Sequence, residues 1–280
     1  MDTSTQGVRR RLIEHMLQEP IKPGSLVLYG DVKVSALSPK ALEVLRDRKA
    51  DLPEAANARV KTLRMLFKWG KKAHPDHIRG NPARDVERVE HSSQGHHTWT
   101  VEDVARYEER HPVGTKARLA LCLVMWTGVR RSDLVLLDKQ HQYWQIDPVT
   151  TERKRWLKFT AHKNRNRNPV VIDIPVLPEL IAASPTGDLT FLVTEYGQRF
   201  SAPGFGNKFR EWCNQAGLPH CSAHGLRKAG ATSAAENGAS THELMSIFGW
   251  LTMQEAERDT RAARRKKMAG NAMGLLVRKD

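Results

Sequence analysis

Residues 224–259, HGLRKAGATSAAENGASTHELMSIFGWLTMQEAERD, limit the possible folds more than any other stretch of the chain. His224 and Arg227 stand three apart, which puts both on one face of a helix beginning here. Ala231, Ala234 and Ala235 continue the helical spacing, and Asn237-Gly238 stops it. A second helix starts at Ser240 or Thr241, with Glu243 near a capping-box position. It turns Leu244, Met245, Ile247 and Phe248 inward and ends at Gly249. A third helix, from about Thr252, carries Asp259. Helices this short, so closely joined, bring His224, Arg227, Trp250 and one more polar side chain towards a common point.

Charge narrows the partner. The chain of 280 residues carries a formal charge of +14 and a pI near 9.9. Lys and Arg run through its whole length, so the expected partner is a polyanion, with nucleic acid first. Charge alone fits a ribosomal protein equally well. Cys122, Cys213 and Cys221 show no C-x-x-C spacing, which implies a reducing compartment and neither a disulfide framework nor a zinc site. No apolar run reaches spanning length and the N-terminus lacks a signal-peptide core. A soluble cytoplasmic protein without a membrane partner is therefore expected.

The periodicity predicts a mainly α chain with one small antiparallel β-sheet (α+β). Residues 7–19 read as a basic helix with Leu12, Ile13, Met16 and Leu17 inward. Residues 20–38 are irregular, with a brief extended piece at 26–29. Ser38-Pro39 opens a helix to about Arg48 that buries Leu42, Val44 and Leu45. Residues 53–72 form a longer helix with a stripe of Val60, Leu63, Leu66 and Phe67; Arg59, Lys61, Arg64 and Lys68 lie off it. This gives a helical domain over 1–88, a polar linker over 89–98 within the aperiodic run 84–98, and a second domain over 99–280. His91, His96 and His97, with His74 and His77, find no Cys or carboxylate at ligand spacing, so no metal site is expected. Thr100 is an N-cap and KARLALCLVMWTG a buried helix ending at Gly128. A helix begins near Ser132. Residues 142–174 are β-branched and aromatic between polar turns, predicting the sheet with NRNRN at its tip. Helix returns at 177–183, a strand-like run at 189–194, and helix again at 203–216. The tail 261–280, RAARRKKMAGNAMGLLVRKD, reads as a basic amphipathic helix with Met268, Ala272, Met273 and Leu276 on one side.

The order H-x-x-R, then a G-[H/W] pair, together with TGVRRSDLVLL upstream, resembles the tyrosine recombinases, or phage-integrase family. The resemblance covers nearly the whole chain from about Leu42. It implies a helical core-binding domain followed by a recombinase catalytic domain, clamped as a C around duplex DNA. It also implies a homo-oligomer, four protomers on two DNA sites, with residues 262–280 the candidate segment for docking on a neighbour, although their pattern fits a helix packed on its own chain equally well. Two arginines distant in sequence would hold the scissile phosphate: Arg130, which the T-G-x-R order favours over Arg131, and Arg227. Guanidinium forks meet non-bridging oxygens bidentately and stabilise the charge of the transition state. Asp133 matches the acidic brace. Lys163, with Lys158 as fallback, matches the lysine that protonates the leaving 5′ oxygen. His224 matches the first histidine and Trp250 the second, its indole N–H still able to donate to a phosphate. Lys61, Arg64, Lys68 and Arg131 are the implied DNA contacts.

Nine positions after Trp250, where the family carries its nucleophilic tyrosine, stands Asp259. The tyrosine hydroxyl attacks phosphorus, expels the 5′ oxygen and stores the bond as a 3′-phosphotyrosine, so rejoining needs no ATP, metal or other cofactor. A carboxylate is shorter, and its acyl phosphate would hydrolyse. Tyr29, Tyr107, Tyr143 and Tyr196 all lie off the last helices. The expectation is a DNA-binding protein that clamps a phosphate without cleaving. The alternatives are strand transfer or nuclease action through another nucleophile, and an accessory subunit in a mixed recombinase assembly. Asp259, ionised at neutral pH, is expected to pair with Arg130 and Arg227.

Overall fold

The structure, a computed structural model, describes residues 3–91, 95–147, 150–163, 165–183 and 192–276. The chain divides into two compact units, residues 1–93 and 94–280. It is mostly helical with one three-stranded antiparallel sheet.

The first unit holds α1 (Thr3–Leu17), α2 (Pro39–Asp47) and α3 (Pro53–Ala73). Ser38 caps α2 by accepting from the Ala41 N–H, and Pro39 supplies the preset φ of a first turn. Met16, Tyr29, Leu42, Leu45, Val60, Leu63 and Phe67 close one core, joined by Ala83 and Val86. Two side chains expected inside are out. Leu17 ends α1 where the chain turns away, and Val44 sits on the solvent flank of α2. Arg59 moves the other way. It is buried, its guanidinium held by the Glu19 carboxylate and by the Leu45 carbonyl at 2.6 Å. Burial alone would raise the Glu19 pKa, but hydrogen bonds from Arg59 and Arg48 outweigh it and hold the carboxyl below its usual range. The expected extended piece at 26–29 amounts to one bridge, Pro20 to Leu28, and a 3₁₀ turn from Tyr29 to Asp31. Much of the aperiodic run is also claimed by this unit: Val86 is buried, and the backbone of Val89 exchanges both hydrogen bonds with Asn57.

The second unit begins with α4 (Val101–Arg110), opened by a reciprocal capping box between Thr100 and Asp103. α5 (Lys116–Thr127) is apolar on most of its circumference and lies in the core. α6 (Arg131–Leu134) leads to β1 (Gln142–Ile146), β2 (Arg153–Thr160) and β3 (Val171–Pro175). The register places Gln142 opposite Leu157 and Leu157 opposite Ile174. One face, with Leu157, Phe159, Ile172 and Ile174, is buried, as period-two alternation requires. α7 (Pro178–Ala182) and α8 (Ala202–Gln215) follow; of the strand-like run at 189–194 the first half lies outside the described residues, and the second half makes one antiparallel bridge, Val193 to Arg199. α9 (Ala223–Glu236), α10 (Thr241–Phe248) and α11 (Met253–Ala272) complete the unit. The tail continues the third helix: α11 runs unbroken through residues 261–272, because no proline falls between Thr252 and Ala272 and Gly270 comes only in its last turn, and it ends in a 3₁₀ turn at Met273–Leu276.

Candidate functional site

α9 begins at Ser222, whose hydroxyl accepts from the Gly225 N–H, so His224 and Arg227 fall on its first two turns. α10 ends at Gly249 with φ +58°, a left-handed cap that a side chain would strain. Two consecutive carbonyls at this helix end hold the two arginines. Arg227 Nη2 donates to the Phe248 carbonyl at 2.5 Å and Arg130 Nη2 to the Gly249 carbonyl at 3.2 Å. The negative end of the helix dipole favours cations there. Phe248 and Trp250 stack, ring centroids 4.9 Å apart, and the Arg227 guanidinium lies over both rings at 5.3 and 5.7 Å.

Arg227 is buried, yet its Nη1 has no hydrogen-bond partner. Burial lowers its pKa to about 9, Arg130 adding to the effect while Asp259, Asp133 and Glu255 oppose it; the group stays charged at neutral pH. Asp133 is equally buried. One of its oxygens accepts from the His162 N–H at 2.7 Å and the other has no partner. Burial raises its pKa, against the pull of the His162 N–H, Arg130 and Arg227.

The groove before these groups has a volume of about 450 Å³. Arg130, Arg131, Lys163, His224, Arg227, Trp250 and Asp259 all line it, as do His96, Glu255 and Arg258. Lys163 Nζ reaches Glu255 Oε1 at 3.2 Å. Burial would raise the Glu255 pKa, but the Leu251 N–H and Lys163 hold it down. The His224 ring meets His96 edge-on at 4.8 Å. Desolvation, then the charge of His96, pulls its pKa below the ordinary value, while Asp259 pulls the other way. Among the described residues the ion pair of Asp259 is with Arg258, at 3.7 Å, and not with Arg130 or Arg227 as expected. Its charge still supports the cationic forms of His224 and Arg227.

Other candidates stand elsewhere. Lys158 pairs with Asp173 on the sheet at 3.2 Å. In the first unit Lys61 and Lys68 are exposed on α3. Arg64 donates to the carbonyls of Ala83, Arg84 and Val86, which straps the unit's own backbone. Tyr107 is buried in the core, Tyr143 donates to Asp173, Tyr196 is exposed and Tyr29 belongs to the first unit's core. Sequence reasoning missed His96, weighed only as a metal ligand, and Glu255, which carried no motif. The i,i+4 relation of Glu255 to Asp259 was the signal for the latter.

The family model described as "Phage integrase family" matches residues 100–265, more than half of the chain and all of this groove except His96. The chain belongs to the phage integrase family. This integrase-family chain is 28% identical over 181 residues to the integrase of Mycobacterium phage L5, an alignment covering 58% of this chain and 48% of that protein. It spans about half the length of the curated relatives it matches. Its fold is similar to that of the Tn1549 transposon integrase in complex with circular intermediate DNA, with a TM-score of 0.67 and 17% identity, covering 96% of this chain and 94% of that one. It is also similar to a lambda integrase tetramer bound to a Holliday junction, with a TM-score of 0.67 and 16% identity, covering 92% of this chain and 72% of that one.

Proposed function

We propose that this integrase-family chain binds duplex DNA and clamps one backbone phosphate in the groove without forming a covalent link to it. The unpartnered Nη1 of buried Arg227 carries the reading. A buried N–H on a charged group is costly unless something accepts from it, and an oxygen of a phosphodiester is such an acceptor. Arg130, tethered beside it by the adjacent carbonyl, takes a second oxygen. Asp133 braces the pair electrostatically. Lys163 stands ready, once Glu255 releases it, to give a proton to a leaving oxygen. His224 is placed to donate to the phosphate, and Trp250 forms the floor against which Arg227 is held.

Asp259 sits where the family resemblance calls for a tyrosine hydroxyl, and no tyrosine lines the groove among the described residues. The proposal therefore excludes a 3′-phosphotyrosine made by this chain alone. Lys61 and Lys68 are assigned to phosphate contacts, Arg64 to holding the first unit together. Assembly as four protomers on two sites is supported by the fold shared with the lambda tetramer.

A nicked suicide substrate tests the reading. The protein as written should bind it and leave no covalent adduct on a denaturing gel, whereas Asp259→Tyr should produce one. An adduct from the parent would sink the proposal. Free nicks from the parent, lost in His224→Gln, would establish a water-using nuclease instead.

A further inference from the structure

We propose that His97, Asp103, His220 and Cys221 bind a zinc-type divalent cation that fastens the entry segment of the second unit to the start of α9. One ligand atom from each residue lies within 4.8 Å of all the others. His97 Nε2 and His220 Nε2 both approach the Asp103 carboxylate, at 2.8 and 3.4 Å on its two oxygens. The two rings stand edge-on, 4.7 Å apart. Two imidazoles, a carboxylate and a thiolate make a donor set that suits zinc better than magnesium or calcium, which seek oxygen. Ligand atoms around a tetrahedral zinc lie about 3.5 Å apart, so the cluster needs to contract by about an ångström at its widest. On binding, the Cys221 thiol gives its proton to solvent and both imidazoles are neutral. The filled site, Zn²⁺ with one carboxylate and one thiolate, then carries no net charge, which lets it sit against the core.

The surroundings are built for this. Asp103 and Cys221 are buried while the two histidines face solvent, leaving an entry path. Asp103 is oriented by accepting from the Thr100 N–H at 2.9 Å, an outer hydrogen bond of the kind that fixes metal ligands. The two chain segments already meet along one seam. Trp99 Nε1 donates to the Ser222 carbonyl at 2.9 Å, and a Cβ on Gly225 would stand 1.9 Å from the His97 carbonyl, so only glycine permits this approach. The cation spans the same seam just before the turns that carry His224 and Arg227. No sequence spacing announced it, because His97 and Asp103 lie more than a hundred positions from His220 and Cys221.

The test uses the full chain without a histidine tag, dialysed against EDTA and titrated with Co²⁺. One equivalent should bind, with the intense d–d absorption of a tetrahedral site and a thiolate-to-cobalt charge-transfer band, both displaced by Zn²⁺. His220→Ala changes an exposed side chain and should keep the fold while weakening Co²⁺ binding by at least about a hundredfold. Cys221→Ser should remove the charge-transfer band. His74→Ala with His77→Ala should change nothing. No binding at micromolar Co²⁺, a spectrum without the thiolate band, or binding indifferent to His220→Ala would overturn the proposal.

Discussion

Arg59 and Arg227 are both 5% exposed, and they do opposite things. In the first unit Arg59 is closed off: Glu19 neutralises it, the Leu45 carbonyl takes another N–H, and Arg48 shares Glu19 at 3.0 Å. In the second unit Arg227 has one carbonyl, two aromatic faces and a donor with no acceptor, with the like charge of Arg130 nearby. Burial of a charge is therefore not what marks a site. The mark is the donor left over after the protein's own partners are counted, because that part of the desolvation cost awaits a ligand.

The contrast is sharpest in stability. Arg59→Met should destabilise the first unit by about 3 kcal/mol, since Glu19 loses its buried cation and keeps only Arg48, and the Leu45 carbonyl loses its donor. Urea unfolding measures it, and the Arg59→Met, Glu19→Gln pair should recover most of the loss. Arg227→Met should shift stability by no more than about 1 kcal/mol, because no paired carboxylate is orphaned. Its cost should fall on function instead: adduct formation in the Asp259→Tyr background should drop by about a hundredfold or more. If Arg227→Met unfolds the second unit as Arg59→Met does the first, the two arginines are the same kind of residue and the distinction fails.

Much of this was legible in the sequence, for reasons that differ by residue. The caps at Ser38, Thr100 and Ser240 and the glycine stops at Gly128 and Gly249 are local chemistry, and each stands where its spacing places it. The His224–Arg227 face follows from helical period alone. Arg59 was misjudged because its partner Glu19 is forty positions away, and charge off an apolar stripe ordinarily means solvent. Val44 and Leu17 went wrong at the edges of their stripes, where period tells least. His96 and Glu255 joined the groove through contacts that only the tertiary fold creates.

Asp259 offers a smaller effect on the same comparison. Glu19 makes direct ion pairs with its arginines, whereas Asp259 acts on Arg227 through charge without an ion pair to it. Removing it should free the groove for a phosphate rather than expose an orphaned cation. Asp259→Ala should tighten duplex DNA binding by about fivefold, roughly 1 kcal/mol, at fixed salt. The parent and the variant should both weaken steeply as salt rises, since bound phosphates release counterions. Equal or weaker affinity in the variant would mean that the Asp259 charge does not compete with DNA.

The smallest effect is in pH, and it separates the two linkages of His224. Its folded pKa lies below the ordinary 6.5 because of desolvation and then His96, with Arg227 and Arg258 adding to the fall and Asp259 opposing it. A base with a depressed folded pKa costs stability in acid: below pH 6.5 the unfolded chain takes up a proton that the folded one refuses. A phosphate in the groove reverses the local field and raises the same pKa, so binding takes up a proton. DNA affinity should therefore rise as pH falls from about 7.5 towards 6, by a few-fold, while the stability of the free protein declines over the acid part of that range. His224→Gln should flatten both curves. His96→Gln should move the affinity rise to higher pH, because one source of the depression is gone. An affinity curve as steep in His224→Gln as in the parent would assign the proton to another group and remove His224 from the phosphate's surroundings.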